Sequence, residues 1–262
     1  MDAPGSRTEL TPWRPGDAWL GGGTWLYSEP QPHLRRAIDL AAMGWPALAR
    51  TRDGLQIAAT CTIAELHEAS LAADWMAAPL VGQCCRALLA SFKIWNMATV
   101  GGNICLGLPA GSMTSLLAAL DGVGTIWMPD GQDRCLPIAE LVTGPSQTAL
   151  EPGEMLRQIE VTAEALSRRT GFRQVSLTRH GRSGALLIGT LGPHGFALTI
   201  TASVPRPVQL RFAAVPPAAE LAAAIAASIP AGAYFDDMHG APDWRQHVTL
   251  HLAEEIRCEL AP

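Results

Sequence analysis

Two adjacent glycines, Gly101 and Gly102, lie in an apolar run over residues 97–106, with Thr99 before them and Asn103 and Ile104 after. Glycine lets a backbone turn sharply and lets a second group approach it closely. Threonine and asparagine add short hydrogen-bonding side chains. A loop of that make-up can line its backbone amides along an anion such as a pyrophosphate. Far upstream, Gly21, Gly22, Gly23, Thr24, Trp25 and Leu26 repeat the same chemistry. The expectation is that both loops meet over one ligand. On spacing alone, two unrelated turns stay open, because a glycine pair is not a specific motif. Ser112 reads as the N-cap of a buried helix over 113–120, and the dipole of that helix start would favour an anion.

Other chemistries find no support in the spacing. The upstream loop is no dinucleotide fingerprint, since Pro30 and Pro32 follow it and oppose the helix that motif requires. There is no G-x-x-x-x-G-K-[ST] and no G-x-S-x-G. The six cysteines form no C-x-x-C, and the seven histidines are scattered, with none pairing at i, i+4 with a third ligand, so no metal site is expected. Cys84 and Cys85 read as core filling on a helix. Net charge is −5 and Lys93 is the only lysine, which removes the electrostatic footprint of a nucleic-acid binder. No apolar window reaches the ~18 residues of a membrane span, and residues 1–15 lack the apolar core of a secretory signal. A reducing, cytoplasmic location is expected.

At 48% hydrophobic and 16% charged residues, the chain can bury a sizeable core. Residues 1–18 read as a frayed lead-in that runs into a short strand over 17–20. Residues 33–44 allow a helical turn or a strand ending at Asp39. Strands are predicted over 55–59, 123–128 with a hairpin return over 134–137, and 155–161. Thr62 and Glu65 have capping-box spacing, and a helix is predicted over 79–92. After a linker over 162–170 comes a meander, with strands over 172–178, 185–191, 196–204 and 208–212. An alanine-rich helix over 217–228 follows. The last helix starts after Pro242, with Trp244, Val248, Leu252 and Ile256 as its core face. Segregated strands and helices indicate an α+β fold.

With these elements in place, the glycine pair acquires a family. The run Ala-Thr-Val-Gly-Gly-Asn-Ile, joined to Pro109-Ala110 and to residues 116–122, resembles the FAD-binding (medium) subunit of molybdenum hydroxylases, the xanthine dehydrogenase and aerobic carbon monoxide dehydrogenase family. The upstream loop resembles that family's A-G-G-x-x-L signature, with Gly21 at the alanine position. Residues 57–62 are similar to its I-G-A-x-x-T segment, 148–156 to T-x-L-x-x-x-E-x-L, and 172–176 to F-K-Q-x-S. These motifs occur in order over about 20–260.

The resemblance implies a two-lobed FAD-binding domain of the vanillyl-alcohol-oxidase/PCMH type, with lobes over 1–54 and 55–165. A C-terminal α+β domain of meander and helices would cover 166–262. Gly21 to Leu26 and Thr99 to Ile104 would wrap the FAD diphosphate. Thr62 would sit near the flavin or its linker, and Leu156 near the adenine. Ser112, where the family often has aspartate, would hydrogen-bond a ribose or ribityl hydroxyl. Arg173 would replace the family's lysine near the isoalloxazine and stabilise the reduced, anionic ring; arginine keeps the charge but changes reach and geometry. Trp95 stands where the family usually has a basic residue, and the helix before the first loop is shortened or lost. The implied function is electron transfer from [2Fe-2S] clusters of a small partner subunit through FAD to an external acceptor. A large subunit would hold molybdopterin, within a higher-order heteromer. Two alternatives are a self-contained flavin reductase or oxidase, and a flavin-free scaffold subunit.

Overall fold

The computed structural model describes residues 1–10, 12–69, 71 and 74–261. The chain opens with two parallel strands, β1 (Asp17–Leu20) and β2 (Arg36–Asp39), in register Asp17↔Arg36. The lead-in is tied down rather than frayed. Asp2 forms a parallel bridge to Ile38, and its carboxylate takes the Arg36 guanidinium at 3.0 Å. Arg7 pairs with Asp133 at 2.6 Å and lies over the Trp127 ring. Residues 36–39 settle as a strand, followed by a 3-10 turn at Leu40–Met43.

Then come β3 (Leu48–Arg50) and β4 (Gly54–Ala58), and four helices: α1 (Ile63–Glu68), α2 (Ala78–Ala87), α3 (Phe92–Trp95) and α4 (Val100–Cys105). Thr62 and Glu65 close the predicted capping box at the start of α1. The glycine pair lies inside α4 and not in an open loop. Thr99 caps that helix by accepting from the Gly102 N–H at 3.0 Å. α5 (Ser112–Ala119) follows, with every residue buried, because it crosses the centre of the molecule. Its N-cap is Gly111, one residue before the serine expected there.

The hairpin β5 (Val123–Trp127) and β6 (Asp133–Pro137) forms as predicted. α6 (Ile138–Leu141), the small pair β7 (Val142–Gly144) and β8 (Gln147–Thr148), and β9 (Met155–Thr162) complete the segment. β3, β4, β9, β5 and β6, in that order, make one antiparallel sheet. The 162–170 stretch is no linker. Thr162 caps α7 (Ala163–Leu166), the Ala77 N–H donates to Leu166, and β10 (Arg169–Val175) already begins.

β10, β11 (Ala185–Gly192), β12 (Gly195–Thr201) and β13 (Val208–Phe212) form the meander, in sequential antiparallel order. In β11, Leu186 and Ile188 join the core built around α5, while Ala185 and Leu187 join a second core with the terminal helices. Burial on both faces explains this strand's unbroken apolar run. The second core holds α8 (Ala218–Ser228) and α9 (Pro242–Leu260). On α9 the fully buried face runs through Arg245, Thr249, Leu252, Ala253, Ile256 and Leu260, with Trp244 and Val248 half-buried at its edge. A strict four-residue spacing drifts around a helix of ~3.6 residues per turn, so the predicted stripe slides off the core at its N-terminal end.

Candidate cofactor-binding cleft

A cleft of about 640 Å³ opens where the first strands, the α2–α5 region and two loops of the C-terminal part converge. Its first wall is the 21–26 loop. That loop leaves the end of β1, and β1 is fixed at both ends. The buried Asp17 carboxylate binds the Arg36 guanidinium and the Arg14 N–H. Trp19 packs against Trp13 with tilted rings, centroids 5.0 Å apart, and donates its indole N–H to the Glu154 carbonyl at 2.9 Å. Glu154 is itself clamped by Arg134 at 2.7 and 2.6 Å, which holds its carboxyl below the usual carboxylate range.

Residues 23–28 make a single helical turn, closed by Tyr27 N–H to Gly23 and Ser28 N–H to Trp25. Among the described residues, no backbone N–H from residue 21 to residue 26 donates to a protein acceptor. Undonated amides at a turn's leading edge are groups that can receive an anion.

The second wall carries the glycine pair, and its amides are engaged. Val100 N–H donates to Cys61, Gly101 N–H to Ala59, Gly102 N–H to the Thr99 hydroxyl and Asn103 N–H to the Thr99 carbonyl, all at 2.8–3.0 Å. Two glycines are required here by close approach. A Cβ on Gly22 would overlap the Met97 carbonyl oxygen, so the two loops touch backbone to backbone. A Cβ on Gly101 would sit 2.7 Å from the Ala59 carbonyl oxygen, on the side away from the cleft. Asn103 accepts from the Met113 N–H at 3.0 Å and so holds the start of α5 beside the wall.

Behind Gly111, which lines the cleft, Ser112 Oγ and Thr114 Oγ1 are buried without a protein partner among the described residues. Leu88, Leu89, Ile94, Leu106 and Leu108 give the cleft flat apolar surface.

The third wall comes from the C-terminal part: His180, Arg182 and Ser183 on the β10–β11 loop, and His239 ahead of α9. These loops are gathered by Arg245, 1% exposed, which donates to the carbonyls of Gly240, Gly184 and Ala202 and to the Asp237 carboxylate. The Ala202 N–H in turn donates to Pro109, just before Ala110 and Gly111 of the second wall. The sequence offered little signal for this wall. Gly181 and Gly184 read only as a break between strands, and Arg245 falls one position off the assumed helix face.

Of the residues expected at a site, Gly21, Gly22, Gly23, Thr24, Trp25, Leu26, Thr99, Gly102 and Asn103 line one cleft. Gly101 and Ile104 face the core behind it. Thr62 caps α1 and bridges to Thr99. Leu156 is a buried core residue against Gly124. Ser112 is buried below the lining. Arg173 is not on the cleft wall: its guanidinium is held on α9 by Glu255 at 2.6 Å and Glu259 at 2.7 Å. The cysteines of the core are unreactive by position; burial pushes the Cys61 and Cys85 thiols up to about 12.

The family model described as FAD binding domain in molybdopterin dehydrogenase matches residues 9–163, more than half of the chain. The chain belongs to this family. It is a FAD-binding component of an oxidoreductase, with a PCMH-type α+β FAD-binding fold. Over nearly its whole length the fold is similar to solved structures. One is quinoline 2-oxidoreductase from Pseudomonas putida 86, with a TM-score of 0.76, 18% identity, and coverage of 94% of this chain and 89% of that one. Carbon monoxide dehydrogenase from Hydrogenophaga pseudoflava, lacking the Mo-pyranopterin moiety, gives 0.73, 19%, 92% and 88%. Reconstituted CO dehydrogenase from Oligotropha carboxidovorans gives 0.76, 18%, 93% and 90%. No curated protein sequence matches the chain.

The cleft fits the family's cofactor. The undonated amides suit a diphosphate, and the leucine and isoleucine surface suits a flat ring system. The lining carries no carboxylate to repel a dianion.

Proposed function

We propose that this chain is the FAD-binding electron-transfer subunit of a cytoplasmic, heteromeric molybdopterin-dependent hydroxylase or dehydrogenase. In this reading a small partner carries [2Fe-2S] clusters that deliver electrons, and a large partner oxidises substrate at molybdopterin. FAD supplies the redox chemistry when bound; the protein supplies binding, orientation and charge. The amides of residues 21–26 hold the diphosphate. Gly102 and Thr99 close the opposite side, and the apolar wall excludes water from the ring. The observation that carries the reading is the row of six undonated amides in a cleft of about 640 Å³.

Partner docking is supported by the rim of the cleft. Trp25, Leu89 and Ile94 of the lining are exposed, and so are Tyr27, Phe92 and Met97, close to them in sequence, with Phe92 74% exposed. Apolar exposure on that scale marks interaction surfaces. The test is purification of the chain co-expressed with its genomic neighbours. A yellow complex holding stoichiometric FAD and two redox partner chains is expected. A colourless chain whose melting temperature does not rise with added FAD would contradict the reading.

A further inference from the structure

Arg182 is the only lysine or arginine among the residues lining the cleft, and no aspartate or glutamate accompanies it. Its side chain makes no ion pair or hydrogen bond among the described residues, whereas its backbone neighbourhood is fixed. Ser183 next to it is buried and accepts from Gln174 Nε2 at 2.8 Å. The Gly184 N–H donates to Val175, and its carbonyl takes the Arg245 guanidinium at 3.0 Å. The exposed guanidinium therefore stands on an anchored stem at the cleft. His180 and His239 flank it on the same wall.

We infer that Arg182 is the positioning cation for the reduced cofactor, in the place expected for Arg173. The inference rests on the FAD reading above. Reduction adds two electrons to a neutral isoalloxazine, and with uptake of one proton the ring carries one negative charge. At the cleft, that charge is stabilised by a cation carried on an anchored backbone stem. Arg173 cannot supply it, because Glu255 and Glu259 neutralise its guanidinium and leave the local sum at one negative charge. The constant charge of the diphosphate is met elsewhere, by the undonated amides of the 21–26 loop. Arg182 is thus the one formal charge in the lining available to the group whose charge changes.

The experiment is a reductive titration of the FAD-loaded chain with dithionite and a reference dye, alongside the affinity for oxidised FAD. Wild type, Arg182→Ala, Arg182→Lys and Arg173→Ala are compared. Arg182→Ala is expected to weaken binding of reduced FAD about tenfold more than binding of oxidised FAD. That selectivity reads as a two-electron potential about 30 mV more negative. Arg182→Lys restores most of the shift, and Arg173→Ala leaves the potential at the wild-type value. A wild-type potential in Arg182→Ala overturns the assignment. So does equal weakening of both redox states, which would place Arg182 on the diphosphate, or a shift reproduced by Arg173→Ala. A wild-type chain that takes up no FAD overturns the cofactor reading and this assignment with it.

Discussion

The 21–26 loop and the 99–103 segment share a composition, glycines beside a threonine, but they use their amides in opposite ways. In the second segment the chain itself consumes the donors. Thr99 caps α4, and Cys61 and Ala59 accept the next two N–H groups. The segment is a finished piece of structure whose glycines allow backbone to pack on backbone. In the first loop the donors stay undonated although the flanking residues are fixed by Asp17–Arg36 and by Trp19 on Glu154. Leaving polar backbone groups unpaired in a concave site costs stability, and a bound anion offsets that cost. In the proposed reading one loop binds and the other supports it, a division that composition alone does not reveal.

Variants can break this division. The largest effect is expected from Gly22→Val, whose side chain would overlap the Met97 carbonyl and push the loops apart. A cost of about 3 kcal/mol translates into roughly 100-fold weaker FAD binding, measured by titration of the apo chain. Gly101→Ala should act on the fold instead. Its Cβ would meet the Ala59 backbone, at about 1–3 kcal/mol of stability read from denaturant unfolding. FAD affinity of the folded fraction should change less than about threefold, well under 1.4 kcal/mol.

Glu154→Gln probes the support under Trp19. The Arg134 guanidinium lowers the Glu154 pKa, so the ionised form stabilises the fold above the unfolded value near ~4.3. That contribution is lost as pH falls through the lowered folded value. A gap of about 1–2 kcal/mol between wild type and variant at pH ~7 should therefore shrink by pH ~3. Arg173→Ala, removing a half-exposed ion-pair set, should cost no more than about 1 kcal/mol and leave FAD affinity unchanged.

What the sequence made legible was mostly local. The Thr62–Glu65 box, the β5–β6 hairpin and the strand order of the meander follow from neighbouring residues. Contacts between distant segments were not readable. Asp2 with Arg36 and Arg7 with Asp133 fasten a proline-rich lead-in that has no local reason to be ordered. Gly101 and Gly102 disfavour a helix by propensity, yet the Thr99 cap and the bonds to Ala59 and Cys61 override it. The site divided in the same way. The glycine loop was visible in the residues themselves. The wall bearing Arg182 and His239 exists only because Arg245 draws three loops together. The family's basic position at Arg173 was carried over by motif, and two glutamates on α9 redirect it.

The division between the loops is tested most directly by amide hydrogen exchange with and without FAD. Cofactor binding is predicted to slow exchange at residues 21–26 by at least about tenfold, since those N–H groups gain acceptors. Residues 100–103, already donated to protein, should be protected beforehand and change little. Protection arising at 100–103 while 21–26 stays unchanged would contradict the account.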